Sequence, residues 1–118
     1  MRRIEYYRTK NGKCYVEEFL DSLNDKEFEK VFYSMRLVED LEIVPSKFFK
    51  KLKGTDDIYE IRAEYKGKWY RLFSFFYNNN LVIATHGVQK KDNKVKRSEI
   101  EKAQKYKKDY YQQKTERK

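Results

Sequence analysis

The chain is poor in the residues that bridge or punctuate small proteins. Among 118 residues there is one cysteine, Cys14, one histidine, His86, one proline, Pro45, and four glycines. A lone cysteine cannot close an internal disulfide and suits a reducing compartment. One cysteine and one histidine fall short of the Cys/His sets that hold zinc, and no Asp/Glu cluster suggests magnesium. We expect neither a metal nor a cofactor. Gly12, Gly54, Gly67 and Gly87 stand apart from one another, so no glycine-rich phosphate loop is formed. No apolar run is long enough to cross a bilayer, and Met1-Arg2-Arg3-Ile4-Glu5-Tyr6 lacks the apolar stretch of a secretory signal. The expected location is the cytoplasm, away from membranes.

What the chain has in abundance is charge and aromatic surface. Charged residues make up 40% and aromatic residues 17%. The first figure alone suggests disorder, but 11 Tyr, 8 Phe and 1 Trp supply enough buriable area for a core. The length fits one domain, 1–118. The net charge is +9 and is unevenly spread. Residues 1–44 hold 8 basic and 10 acidic side chains, whereas residues 89–118 hold 12 and 5. A positive C-terminal region attracts polyanions and gains from counterion release when phosphates bind.

Periodicity gives the elements. Ile4 to Arg8 reads as a strand, with Asn11-Gly12 as a turn. Val16, Phe19, Leu20 and Leu23 share one helical face, and Asn24 with Glu27 forms a capping-box pair for a second helix carrying Phe28, Val31, Phe32, Met35 and Val38. Pro45 bars continuation beyond Val44. Ile58 to Lys66 alternates Tyr59, Ile61, Ala63 and Tyr65 against Glu60, Arg62, Glu64 and Lys66. Gly67 turns the chain into Trp69–Tyr77, and Asn78-Asn79-Asn80 into the apolar strand Leu81–Val88. Ser98 and Glu101 form a second capping box, opening a helix with Ile100, Ala103, Tyr106 and Tyr110 on its apolar stripe. Residues 113–118 read as a frayed basic tail. The expectation is an α+β fold: an antiparallel sheet with an N-terminal helical hairpin and a C-terminal helix, all packed on one sheet face.

Several side chains are chemically interesting. Arg71 alternates with Trp69, Phe73 and Phe75, a costly position for a charge unless it is paired. Either it forms an ion pair with Glu60 or Glu64, or it grips an anion through two parallel hydrogen bonds. Arg62, Lys90 and Lys91 are further cations, with Lys50, Lys51 and Lys53 upstream. His86 is suited to proton transfer near neutral pH, though a strand histidine is more often structural. The tyrosines of the last helix either stack bases or pack on the sheet.

Leu52-Lys53-Gly54, Ile58-Tyr59-Glu60-Ile61-Arg62, Trp69-Tyr70-Arg71-Leu72 and Gly87-Val88-Gln89-Lys90-Lys91, followed by a terminal helix near Ser98, occur in an order that resembles the RelE/ParE superfamily, closest to its phage-derived HigB-like branch. The resemblance spans residues 4–112. It implies a microbial-ribonuclease-like fold and a toxin of a toxin–antitoxin pair that cleaves mRNA on the ribosome without a metal. The RNA 2′-hydroxyl would attack the adjacent phosphate. Arg62 and Arg71 would stabilise the phosphate charge, Lys90 and Lys91 would contact phosphate or protonate the leaving oxygen, and Lys50, Lys51 and Lys53 would support RNA binding. Such enzymes often carry a tyrosine early in the terminal helix. Here Ser98-Glu99-Ile100 stands there, leaving Glu60 and His86 as candidate bases. The implied partners are the ribosome, mRNA and an antitoxin of helix-turn-helix type. A same-fold gyrase inhibitor of the ParE kind and a non-catalytic RNA-binding module are the alternatives.

Overall fold

The computed structural model describes residues 1–92 and 94–116. The order is β1 (Arg3–Tyr6), α1 (Tyr15–Asp21), α2 (Asp25–Asp40), β2 (Phe49–Lys51), β3 (Tyr59–Tyr65), β4 (Lys68–Asn78), β5 (Leu81–Lys90) and α3 (Arg97–Glu116). One five-stranded sheet runs in the order β1-β5-β4-β3-β2.

Tight turns set most of the pairing. Lys66 and Gly67 both have positive φ (52° and 78°), the backbone that a two-residue hairpin loop needs to match strand twist. Tyr65 is thereby brought opposite Lys68. The expected antiparallel sheet holds for β2 to β5, but β1 pairs parallel with β5, Ile4 opposite Val82. The sheet is therefore mixed. β1 has no hairpin neighbour, so its partner is chosen by tertiary closure rather than by a turn.

The helices lie on both faces, not one. Val16 and Leu20 of α1 and Val31, Met35 and Val38 of α2 pack with Ile61, Ala63, Tyr70, Leu72 and Ala84. Ala103 of α3 packs with Tyr7, Ile58, Phe73, Phe75 and Ile83 on the other side. β4 and β5 carry apolar residues at both parities, so each face needs a cover. Asn24 accepts from the Glu27 N–H while the Glu27 carboxylate accepts from the Asn24 N–H, both at 2.9 Å, completing the capping box. α3 starts at Arg97, before the expected cap Ser98, because the Lys96 carbonyl already accepts the Ile100 N–H. Its C-terminal end is held rather than frayed through residue 116. Gln113 donates to the Arg8 carbonyl at 3.0 Å, and Glu116 pairs with Lys10 at 3.1 Å. Residues 117 and 118 of the expected tail lie outside the described residues.

Two features of β5 shape the charged face of the sheet. A Cβ on Gly87 would stand 2.3 Å from the ring of Phe19, so only glycine admits α1 at this approach. The pairing also slips between Phe73 and Ser74: Phe73 faces His86 while Ser74 faces Ala84, leaving Thr85 as the extra residue of a β-bulge. The bulge re-aims the rest of the strand. His86, Val88 and Lys90 consequently share the α3 side with Phe73, Arg71 and Trp69.

Candidate functional site

Register and alternation gather charge on the α3 side of the sheet. In one row Lys50 faces Glu60, Glu60 faces Phe73 and Phe73 faces His86. In the next, Arg62 faces Arg71 and Arg71 faces Val88, and in the last Glu64 faces Trp69 and Trp69 faces Lys90. α3 touches the first row where Glu99 meets His86 at 3.4 Å. From there its rings run towards Phe75 and Tyr77, away from Trp69 and Lys90.

The centre of this patch is an ion triad. Glu60 lies 2.7 Å from Arg71 Nε through one carboxylate oxygen and 3.8 Å from Arg62 Nε through the other. Burial pushes the Glu60 carboxyl upward, while Arg71, Arg62 and Lys50 pull it back. Burial likewise lowers the Arg71 guanidinium, opposed chiefly by Glu60. Both guanidinium groups lie over Trp69, at 5.3 Å for Arg62 and 5.7 Å for Arg71. Arg71 is 1% exposed. Of its two expected partners it takes Glu60 rather than Glu64. Arg62 is the more accessible, with 13% of its side chain exposed, and it donates to the Ser46 carbonyl at 3.3 Å.

Lys90 forms the opposite edge, half-buried beside Trp69. The neighbouring Lys96 ammonium lowers its pKa, helped by burial and opposed by Glu99 and Asp92. Lys91 is exposed just beyond the strand, and Lys50 is exposed on the row of Glu60. Lys51 and Lys53 do not join this face. Lys51 pairs with Asp57 at 2.8 Å, and Lys53 stands exposed in the turn after β2.

His86 is placed for packing. Its ring stacks on Phe73 at 4.9 Å, meets Tyr106 edge-on, and lies 3.0 Å from the Thr85 hydroxyl. Burial pulls its pKa from the ordinary 6.5 to about 4, against Glu99, so it is neutral near pH 7. Residue types and spacing did not single out Lys96 or Glu99. Their roles depend on how α3 and the segment before it return to the sheet, which local pattern does not encode. Among the described residues, no group of three His, Cys, Asp or Glu side chains could hold a metal.

The face is therefore a buried Glu60–Arg71 pair that fixes Arg62 and Trp69, with Lys90 and Lys96 across from them. Accessible cations held by a rigid interior can bind an oxyanion without having to reorganise. No curated protein matches the chain. Among solved structures, an archaeal RelE–RelB complex from Pyrococcus horikoshii OT3 is similar, with 21% identity over 79% of this chain and 98% of that chain, and a TM-score of 0.47. Residues 18–108 match the family described as phage derived protein Gp49-like, a stretch that contains every residue of the face. The chain belongs to the phage-derived Gp49-like family, within the RelE/ParE superfamily that its ordered motifs resemble.

Proposed function

We propose that this protein is the toxin of a toxin–antitoxin pair and that it cleaves mRNA on the ribosome. The observation that carries the reading is the placement of Lys50, Arg62 and Lys90 on one sheet face, beyond the cover of α3, around the buried Glu60–Arg71 pair. Family membership supports the toxin assignment. We place it in the HigB-like branch, acting in the cytoplasm and neutralised by an antitoxin with a helix-turn-helix domain.

In this reading the scissile phosphate sits between Arg62 and Lys90. The 2′-oxygen bonds to phosphorus, the bond from phosphorus to the 5′-oxygen breaks, and the product ends in a 2′,3′-cyclic phosphate. Arg62 stabilises the charge growing on the phosphate oxygens. Lys90 gives its proton to the departing 5′-oxygen, and the adjacent Lys96 makes it a stronger acid. Glu60 and Arg71 act as positioning residues because neither reaches solvent. Glu60 and His86 are too enclosed to take the 2′-hydroxyl proton, which passes to water. Lys91 and Lys50 hold flanking phosphates.

The test is induced expression with mapping of new 5′-hydroxyl ends on mRNA. Cleavage within translated codons that disappears in Lys90→Gln supports the reading. Intact transcripts with arrested growth and cleaved plasmid DNA would overturn it in favour of gyrase poisoning.

A further inference from the structure

A second surface on the α3 side takes no part in that site. At the far end of the sheet, Tyr77 meets Tyr110 at 5.3 Å and Tyr111 at 5.5 Å, and Phe75 joins the same ring cluster. Tyr106, by contrast, is consumed in packing between Tyr7 and Tyr15, at 5.1 and 4.9 Å. Tyr111 keeps 40% of its surface exposed. It borders a cleft of about 810 Å³ lined along α3 by Gln104, Lys108 and Tyr111, with Asp56 across from them.

The charges around this cleft are not equivalent. The Lys107 ammonium donates to the Asp56 carbonyl at 2.7 Å and lies 3.6 Å from its carboxylate, and Lys10 holds Glu116. The acids are thus answered within the protein. Lys108 is exposed and, among the described residues, makes no ion pair. Lys114 does not line this cleft; it borders the neighbouring hollow with Glu5, Tyr6 and Arg8 and lies over the rings of Tyr77 and Tyr110, at 5.8 and 5.2 Å. What remains for a ligand is an exposed aromatic ring flanked by ammonium groups.

We propose that this ledge binds single-stranded RNA, with one base stacked on Tyr111 and the flanking phosphates held by Lys108 and Lys114. Base–aromatic stacking beside lysines is the physics of sequence-tolerant single-strand binding. A duplex offers no free base face to the ring. The ledge is remote from the sheet site: Glu99, which touches His86, lies twelve residues from Tyr111, roughly 18 Å along the helix axis. It takes its ligand class from the cleavage reading and none of its chemistry.

The experiment uses the full chain with a fluorescent oligoadenylate of about 12 nucleotides, within single-strand site sizes of roughly 4–16. Tyr111→Ala should weaken binding about tenfold, whereas Tyr111→Phe retains it. Lys108→Gln with Lys114→Gln should make the log–log salt dependence shallower by about 1.4. In Arg62→Gln, cleavage on programmed ribosomes should fall about 10²–10³-fold while 4-thiouridine RNA still cross-links to the peptide bearing Tyr111. The ledge is refuted by unchanged affinity in Tyr111→Ala, by equal affinity for a duplex, or by cross-links confined to the Trp69 peptide. The last result leaves the cleavage reading standing, and cross-linking at Tyr111 with no mRNA cleavage by the unaltered protein on programmed ribosomes sinks that reading alone.

Discussion

The two faces of this sheet are built for different ends. Beneath α1 and α2 the buried surface is apolar, from Val16 and Val38 to Leu72 and Ala84. Among the described residues its one buried carboxylate, Glu27, accepts a 2.5 Å hydrogen bond from the Tyr70 hydroxyl and closes the α2 cap. On the α3 side the same sheet buries Glu60, Arg71 and His86. Hydrophobic packing needs no partner of specified geometry, whereas every buried charge does. The first face holds the molecule together, and the second gives up part of that stability to fix charge in place.

Four changes put this contrast to the test. Arg71→Ala leaves Glu60 buried without its main counter-ion and should destabilise by about 3–5 kcal/mol, read as a lowered urea midpoint. Lost activity in that variant would report packing rather than catalysis. Arg62→Ala should keep the midpoint close to that of the parent but reduce cleavage by about 10²–10³-fold, measured as initial rate on programmed ribosomes. A matching fall in stability would move Arg62 into the structural class. The third test is acid. His86 is neutral in the fold, with its pKa lowered to about 4, so the unfolded chain binds a proton first as pH falls below 6.5. Stability is thus fully present above 6.5 and declines toward pH 4, by up to about 3 kcal/mol. His86→Gln should flatten that part of the pH profile, although Glu99 and Lys102 face the same ring from α3. Equal slopes in both proteins would remove the histidine from the account. Ile61→Val, on the apolar face, should cost only about 0.5–1.5 kcal/mol and leave the pH profile unchanged.

Much of this architecture is legible in local pattern. The capping box at Asn24 and Glu27, the turn at Gly67 and the exclusion of helix beyond Pro45 follow from residues near one another in sequence. The choice of Glu60 as a partner for Arg71 was within reach because strand alternation limited the options to two acids. Long-range placement was not legible. Strict alternation from Ala84 would send Lys90 to the α1 and α2 face, and only the extra residue at Thr85 brings it beside Trp69. The parallel seating of β1 and the crossing of α3 to the opposite face depend on which surfaces remain uncovered after the hairpins form. Lys96 escaped notice for the same reason: its nearness to Lys90 exists only once the chain turns back toward α3.

The sheet's order also bears on self-association. Its longest strands, β4 and β5, are interior, and both margins are short: three residues of β2, which includes Lys50 and Lys51, and four of β1, which includes Arg3 and Glu5. Brief, charged margins make poor templates for adding strands from other copies. The margins of the sheet thus offer little backbone through which copies of this chain could clump.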